Sequence, residues 1–564
     1  MFVNFYTFFI FYIFIICSIL GYGFLISDTV GKSVSSKNIG YTGLTAIFFF
    51  SIYSYFTSLF IKHGLYHNLI FLGLGFIFFV IKIKNFNKLS KNNLYFSIGI
   101  FAFLLFGLFI YKAHDDFLYY HFQYSYYLTQ QPTVIGIGNF GLGLRTSSSL
   151  FYLNSMFYLP FIKYFTFQIT PVLILGFANL VLIIKIYNDL NSKRYNFITI
   201  YNLLVFIFIN IFFYRISEHG TDKSAQILTL ILISEILLMV NFKVIIEKSV
   251  SKFFVLIGLI IAFKAFYILY GLLFIVIIYH LFQIKKNFSN VFKILIKNYF
   301  FLSFIFLIIL LLFHNFLITG CLIYPVPISC FDNNLWAIKI NEVKDLNNWY
   351  EQWAKGGAGP NFRVEDPILY IKNFNWVSNW IERHFFNKVS DTLFGVLFMC
   401  AIFVMLFFSR KKRRTNQKFF LIYFFISIFL LEWFLKHPAM RYGGYILIAF
   451  PIILLSSTIL AKFLNPFNKV KLISVFLIIL ILGIYNVRNF LRITKEVSVY
   501  KYPILAKPYF KVKKTENKIV YKDKNITIYN PGNNSCWANK TPCFKGSKVK
   551  IERFFNINIL EYVK

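Results

Sequence analysis

Apolar runs of roughly 15 to 22 residues follow one another along most of the chain, separated by stretches rich in Lys and Asn. In α-helix a run of that length spans the about 30 Å of hydrocarbon in a bilayer. The chain therefore reads as an integral membrane protein that crosses the bilayer many times. The runs fall at 5–26, 41–61, 65–81, 94–111, 171–187, 198–214, 227–240, 253–282, 299–317, 392–408, 419–435, 445–461 and 472–490. The run 253–282 is too long for one ordinary span and is expected to form a tight pair of short helices. The total is then about fourteen crossings.

The 564 residues are 58% hydrophobic and only 14% charged, a balance that suits no soluble globular chain of this length. The net charge of +36 would suggest nucleic acid if it gathered on one folded face. Instead the cations are scattered through short loops, where each Lys or Arg is worth roughly 1 kcal/mol against anionic headgroups. They set orientation, and no nucleic-acid partner is expected. The loop Arg410, Lys411, Lys412, Arg413 and Arg414 is assigned to the cytoplasm by the excess of cations there. Alternation puts 82–91, Lys193 with Arg194, 243–252, Lys285 with Lys286, and Lys469 with Lys471 on the same side. Three polar segments, 112–170, 318–391 and 491–564, then lie outside, between transmembrane blocks at 1–111, 171–317 and 392–490. Residues 1–26 lack a basic leader and a small-residue cleavage site and read as the first transmembrane helix.

The cysteines agree with this sidedness. Cys321 and Cys330 share one outer segment, Cys536 and Cys543 share another, and two local disulfides are expected. Neither spacing resembles a close zinc pair. The tail reads as a small strand-containing appendage, with a hairpin turn expected at Asp523, Lys524 and Asn525.

Chemistry is sought in the outer segments. Residues 112–127 read KAHDDFLYYHFQYSYY, with Asp115 and Asp116 just beyond the fourth span and Tyr120 and His121 one helical turn later. Asp116 and Tyr120 would share a helix face. Carboxylates near lipid are costly, so the pair is either a cap on an interfacial aromatic helix or a general base or metal ligand. Glu218, His219 and Asp222 form a second compact polar group that suits an acceptor or a divalent cation, or a solvated hairpin. Lys264 and Arg441 stand near outer ends of spans, as phosphate ligands or as snorkelling and interfacial anchors. Trp336, Trp349, Trp353, Trp376 and Trp380 in the large outer loop are candidates for stacking on sugar rings or for anchoring at the interface.

These residues resemble the membrane-embedded glycosyltransferases of the GT-C fold, which take a sugar from a polyprenyl-phosphate carrier. The acidic pair after an early transmembrane helix carries the likeness. So does the Asp-x-x-x-Tyr-His pattern of Asp116, Tyr120 and His121, followed by GIGN at 136–139 and Arg145 before a Ser-rich amphipathic stretch. Asp222 in SEHGTDKSAQ, Lys264, LIYPVP at 322–327 and CWANKTPC near the end extend it, and the whole looks like an uncharacterised bacterial GT-C-like branch. Here four helices precede the acidic loop, where better-known members have one.

The resemblance implies an all-α polytopic protein of a bacterial plasma membrane, with outer juxtamembrane helices and its active face extracytoplasmic. Asp116 or Asp115 would be the base, and His121, Tyr120, Glu218, His219 and Asp222 would assist it or place the acceptor. Lys264, Arg441, Lys223 and Arg145 would hold the donor phosphate, with a divalent metal as an optional cofactor. A lipid-linked sugar and membrane lipids are the expected partners. A transporter, flippase or polymerase of lipid-linked saccharides is the alternative, although no internal repeat and few charges deep within spans are evident.

Overall fold

A computed structural model describes residues 4–30, 38–84, 88–242, 246–359, 364–410, 419–505, 512, 518–522, 527–532, 536, 538–543, 549–554 and 557–562. Among these the protein is an all-α polytopic bundle with four short strands near its C-terminus. Among the described residues eleven helices are long and apolar enough to cross a membrane, and two shorter apolar helices, Phe197–Phe212 and Val250–Phe263, accompany them. A further apolar helix, Phe420–Lys436, occupies the window expected at 419–435. The cationic run beyond Arg410 and the hairpin turn expected at Asp523 to Asn525 lie outside the described residues.

The abundant Asn has a local use. The first N–H groups of a helix lack intrahelical partners, and side-chain oxygens supply them. Asn4, Asn38, Asn287 and Asn298 each cap a helix, and Asn196 with Thr199 forms a reciprocal capping box at the start of Phe197–Phe212. Small residues let helices approach closely. The helices Phe5–Thr29 and Leu65–Ile83 cross where Gly21 faces the carbonyl of Gly75, and a Cβ on Gly75 would sit 2.6 Å from the carbonyl oxygen of Ser18.

The stretch expected as a helical pair divides at Lys264. Ile246–Phe263 ends there, a 3-10 stretch Ala265–Leu272 follows, and Leu273–Lys285 continues as α-helix. The last long helix, Phe467–Tyr500, runs past the boundary expected at 490. Hydropathy falls there, but an Arg492–Glu496 pair at i, i+4, 2.8 Å apart, supports the extra turns.

The few charges deep in the bundle include one joined group. Glu235 on Gly220–Phe242 is buried between Lys185, 2.5 Å away, and Lys252, 3.5 Å away, and accepts a 2.5 Å hydrogen bond from Tyr41. Taken singly in sequence, each of these residues looks like an isolated helix-end charge.

The described parts of 112–170, 318–391 and the C-terminal tail fold back as a cap on one end of the bundle. Cys321 is bonded to Cys330 and Cys536 to Cys543. The strand Ile557–Tyr562 pairs with Val549–Phe554 and docks on the GIGN turn, where Leu560 N–H donates to the carbonyl of Ile135 at 3.1 Å. Gly136 has φ +77, and its missing side chain makes room for the Leu560 carbonyl, so that turn is a seat for the tail. The tryptophans separate. Trp376 and Trp380 are core residues, with Trp380 donating to the carbonyl of Pro438 at 2.7 Å, and Trp336 donates to the carbonyl of Phe316 at 3.0 Å. Trp349 is exposed and Trp353 is half-buried.

Candidate functional site

Where the chain leaves its fourth transmembrane helix it is tied down before Asp116. Lys112 N–H donates to Glu496 at 2.9 Å, and His114 N–H donates to the carbonyl of Ser217 at 3.1 Å. The next turn, Phe117–His121, is a π-helical turn in which both Tyr120 and His121 N–H donate to the Asp116 carbonyl, at 3.0 and 3.3 Å. Such turns are rare and place side chains that an α-helix would turn elsewhere. Here Tyr120 comes back to its own N-terminal acid, its hydroxyl 3.4 Å from Asp116 Oδ2.

Gly220 sits against this turn with φ +53. A Cβ there would lie 3.0 Å from His121 Cε1 and 3.3 Å from His114 Cδ2. The helix Gly220–Phe242 starts at this point and carries Asp222 in its first turn. Arg441 arrives on the 3-10 turn Met440–Tyr442, whose backbone is held by Gln226 Nε2 donating to the Arg441 carbonyl at 3.1 Å and by Met440 N–H donating to His384 Nε2 at 3.2 Å.

The charges meet in one chain. Arg441 donates from Nη2 to Asp116 Oδ2 at 2.6 Å and from Nε to Asp222 Oδ2 at 3.0 Å, and Lys264 pairs with the other oxygen of Asp222. The Arg441 guanidinium lies 5.4 Å from the Trp353 ring centre and 5.7 Å from that of Tyr442, and Lys264 Nζ lies 4.5 Å from the Tyr442 ring centre. Asp222 is 2% exposed, whereas Asp116 is half-buried and Asp115 points outward. Burial would raise the Asp116 carboxyl, but Arg441 and then His114 outweigh it and hold it below the usual carboxylate range. Burial raises the Tyr120 phenol, with Asp116 adding to the shift.

Two histidines complete the pocket. His114 and His121 stack at 5.3 Å, and burial is the first cause that pushes both below the ordinary imidazole value, so both are neutral at pH 7. Among the described residues, neither buried ring nitrogen of His121 has a hydrogen-bond partner. His114, Asp116 and His121 each offer a ligand atom, all within 4.8 Å of one another. Two neutral imidazoles and a carboxylate suit zinc or another transition ion better than magnesium or calcium. Arg441 already occupies one oxygen of that carboxylate.

The remaining expected residues stand apart. Glu218 faces Arg492 at 2.5 Å and Arg215 at 3.6 Å, His219 bonds the carbonyl of Phe213 at 2.6 Å, and only Asp222 of that trio reaches the charged chain. Lys223 follows Asp222 on the same first turn, half-buried. Arg145 is spent on structure, donating to the Gly138 carbonyl at 2.9 Å, the Tyr324 hydroxyl at 3.3 Å and Glu342 at 2.8 Å. It ties the segment 112–170 to the helix Ile340–Lys355. Sequence reasoning missed His114, Tyr442 and the particular role of Trp353. The signal for the first two was adjacency, two residues before Asp116 and one after Arg441.

Residues 5–448 match a family described as a domain of unknown function, DUF8201. The chain belongs to that family. The matched span contains Asp116, Asp222, Lys264 and Arg441 and ends before the long helix Phe467–Tyr500 and the tail. No curated protein and no solved structure matches the chain.

Proposed function

We propose that the chain is a GT-C-type glycosyltransferase. In this reading it moves a sugar from a polyprenyl-phosphate donor to an acceptor on the extracytoplasmic face of a bacterial plasma membrane, with inversion at the anomeric carbon. The observation that carries the reading is the joined set Asp116, Arg441, Asp222 and Lys264 at the capped end of the bundle. A carboxylate held ionised beside fixed cations, at membrane level, is what attack by a hydroxyl on a lipid phosphosugar requires.

The acceptor hydroxyl gives its proton to Asp116 as its oxygen bonds to the anomeric carbon. The bond from that carbon to the phosphate oxygen breaks, and the polyprenyl phosphate leaves with the electron pair. The contacts on Asp116 fall on Oδ2, which directs Oδ1 to the acceptor. Arg441 and Lys264 face the departing phosphate, whose charge needs neutralising more than protonating. Trp353 and Tyr442 flank Arg441 and offer aromatic faces to a sugar ring. A bound transition ion at His114, Asp116 and His121 would add Lewis acidity beside the same phosphate.

Membranes holding the full chain and given radiolabelled sugars on polyprenyl phosphate are expected to label an acceptor that is extracted with the envelope fraction. Equal labelling in membranes without the chain would overturn the reading. A transporter of lipid-linked saccharide is the second reading, favoured by the Lys185, Glu235 and Lys252 group buried within the bundle. It predicts movement of an intact labelled donor across sealed vesicles with no new glycosidic product.

A further inference from the structure

We propose that the end of the bundle opposite the charged site binds an anionic glycerophospholipid, its phosphate held by Lys285, Lys293 and Lys297. The placement follows from the path of the chain. Gly220–Phe242 starts at the site with Asp222, and Ile246–Phe263 returns to Lys264, which pairs with Asp222. The span Ala265–Lys285 therefore leads away from the site and brings Lys285 to the far membrane face.

There the chain does not cross straight back. Phe288–Ile296 forms a helix of 9 residues before Tyr299–Thr319 begins its return. Val291 and Leu295 are buried against the bundle, while Phe288 is 65%, Phe292 63% and Ile296 45% exposed. Those three lie at i, i+4 and i+8, a single, largely exposed apolar row whose first ring, Phe288, also touches Phe282 at 4.7 Å between ring centres. A short helix with one apolar row packed, another open and cations beside it lies in the plane of the interface, its open row in the acyl region.

Beside it a cavity of about 510 Å³ has Ser251, Lys285, Asn290, Lys293, Lys297 and Asn298 as its polar lining, with apolar and aromatic residues making up the rest of its wall. Its floor is fixed, because Asn298 donates to Ser251 at 3.0 Å and also caps the next helix through the N–H groups of Phe300 and Phe301. No Asp or Glu occurs between Glu247 and Asp332 in the sequence, and among the described residues none of the three lysines has a carboxylate partner. Three cations that, among the described residues, face no carboxylate around one cavity call for an anion. The open row of Phe288, Phe292 and Ile296 beside it decides the source, because acyl chains would cover that row and free phosphate would leave it bare. The short basic loops make this the face that the positive-inside rule assigns to the cytoplasm, where anionic lipid is met.

The test uses the full chain in detergent, with phosphatidylglycerol, phosphatidylcholine or inorganic phosphate titrated in and bound lipid counted by native mass spectrometry. Phosphatidylglycerol is expected to bind in preference to phosphatidylcholine. The triple variant Lys285→Gln, Lys293→Gln, Lys297→Gln is expected to lose affinity about fivefold per lysine, on the order of a hundredfold in all. Lys469→Gln with Lys471→Gln, cations on another loop of the same face, is the control and should bind as the native chain does. Equal binding of the two lipids, native affinity in the triple variant, or saturation by inorganic phosphate that blocks the lipid without any need for acyl chains would each overturn the proposal. Because the readout is lipid binding, it stands or falls separately from sugar transfer.

Discussion

Replacing Arg441 disturbs two carboxylates at once. Its guanidinium stands 2.6 Å from Asp116 and 3.0 Å from Asp222. Removing one partner of a buried ion pair costs about 3 to 5 kcal/mol. Asp222 keeps Lys264 and Asp116 is partly solvated, so the expected loss for Arg441→Ala is smaller, about 2 to 3 kcal/mol. The sharper consequence is on protonation. Asp116 is depressed in the folded protein, so it stays ionised until the pH falls below its ordinary value. Without Arg441 the burial that raises it is opposed mainly by His114, and an opposite charge at this range is worth about 1 to 3 pH units. The acid limb of the transfer profile should therefore move up by at least about 1 unit. Arg441→Lys keeps a charge but cannot span both carboxylates from one planar group, and its limb should lie between the two. Transfer measured from pH 4 to 8 in proteoliposomes checks this, with thermal unfolding as the control for folding. Superimposable profiles for native and folded Arg441→Ala protein would refute the coupling of Asp116 to Arg441.

Other consequences follow from the same coordinates. Gly220→Ala forces a side chain into positive φ against His121 and should cost about 1 to 2 kcal/mol, with transfer falling further than the thermal midpoint because the π-turn bearing Asp116 is pushed. His219 is buried with its imidazole lowered to about 3, so the stability it lends is whole above its unfolded value near 6.5 and is lost as pH falls toward about 3. At pH 5 the loss is about 2 kcal/mol, visible as a lower melting temperature in detergent, and His219→Gln should flatten that slope. Glu235→Gln leaves Lys185 and Lys252 facing each other within the bundle and should destabilise by about 3 to 5 kcal/mol, while Glu235→Gln with Lys185→Met should recover part of it. Additive losses in the double variant would argue against a coupled group.

The membrane character of this chain is legible because hydrocarbon thickness fixes span length, and each expected window holds a helix. A break within 253–282 was also legible, since the run is too long for one ordinary span, but its position at Lys264 was not. Tertiary convergence was not. Asp116, Asp222 and Arg441 are separated by long stretches of chain, and alone they read as a helix cap, part of a solvated hairpin and an interfacial anchor. Arg145 shows the opposite error, a cation that looks free in sequence and is taken up by Glu342 and Tyr324 in the fold. The tryptophans of the large loop mislead in the same way, because composition cannot tell a sugar platform from core residues such as Trp376 and Trp380. Glu235 escaped notice because its two lysines come from different helices.

The most direct measurement compares Asp116→Asn with Asp115→Asn at matched expression, following transfer of labelled sugar from polyprenyl phosphate into the envelope fraction. The two acids are neighbours in sequence, but Asp116 is joined to Arg441 while Asp115 is exposed. Loss of transfer in folded Asp116→Asn, with Asp115→Asn retaining most of it, is the expected result. Full transfer by Asp116→Asn would contradict the assignment of this site as the transfer centre.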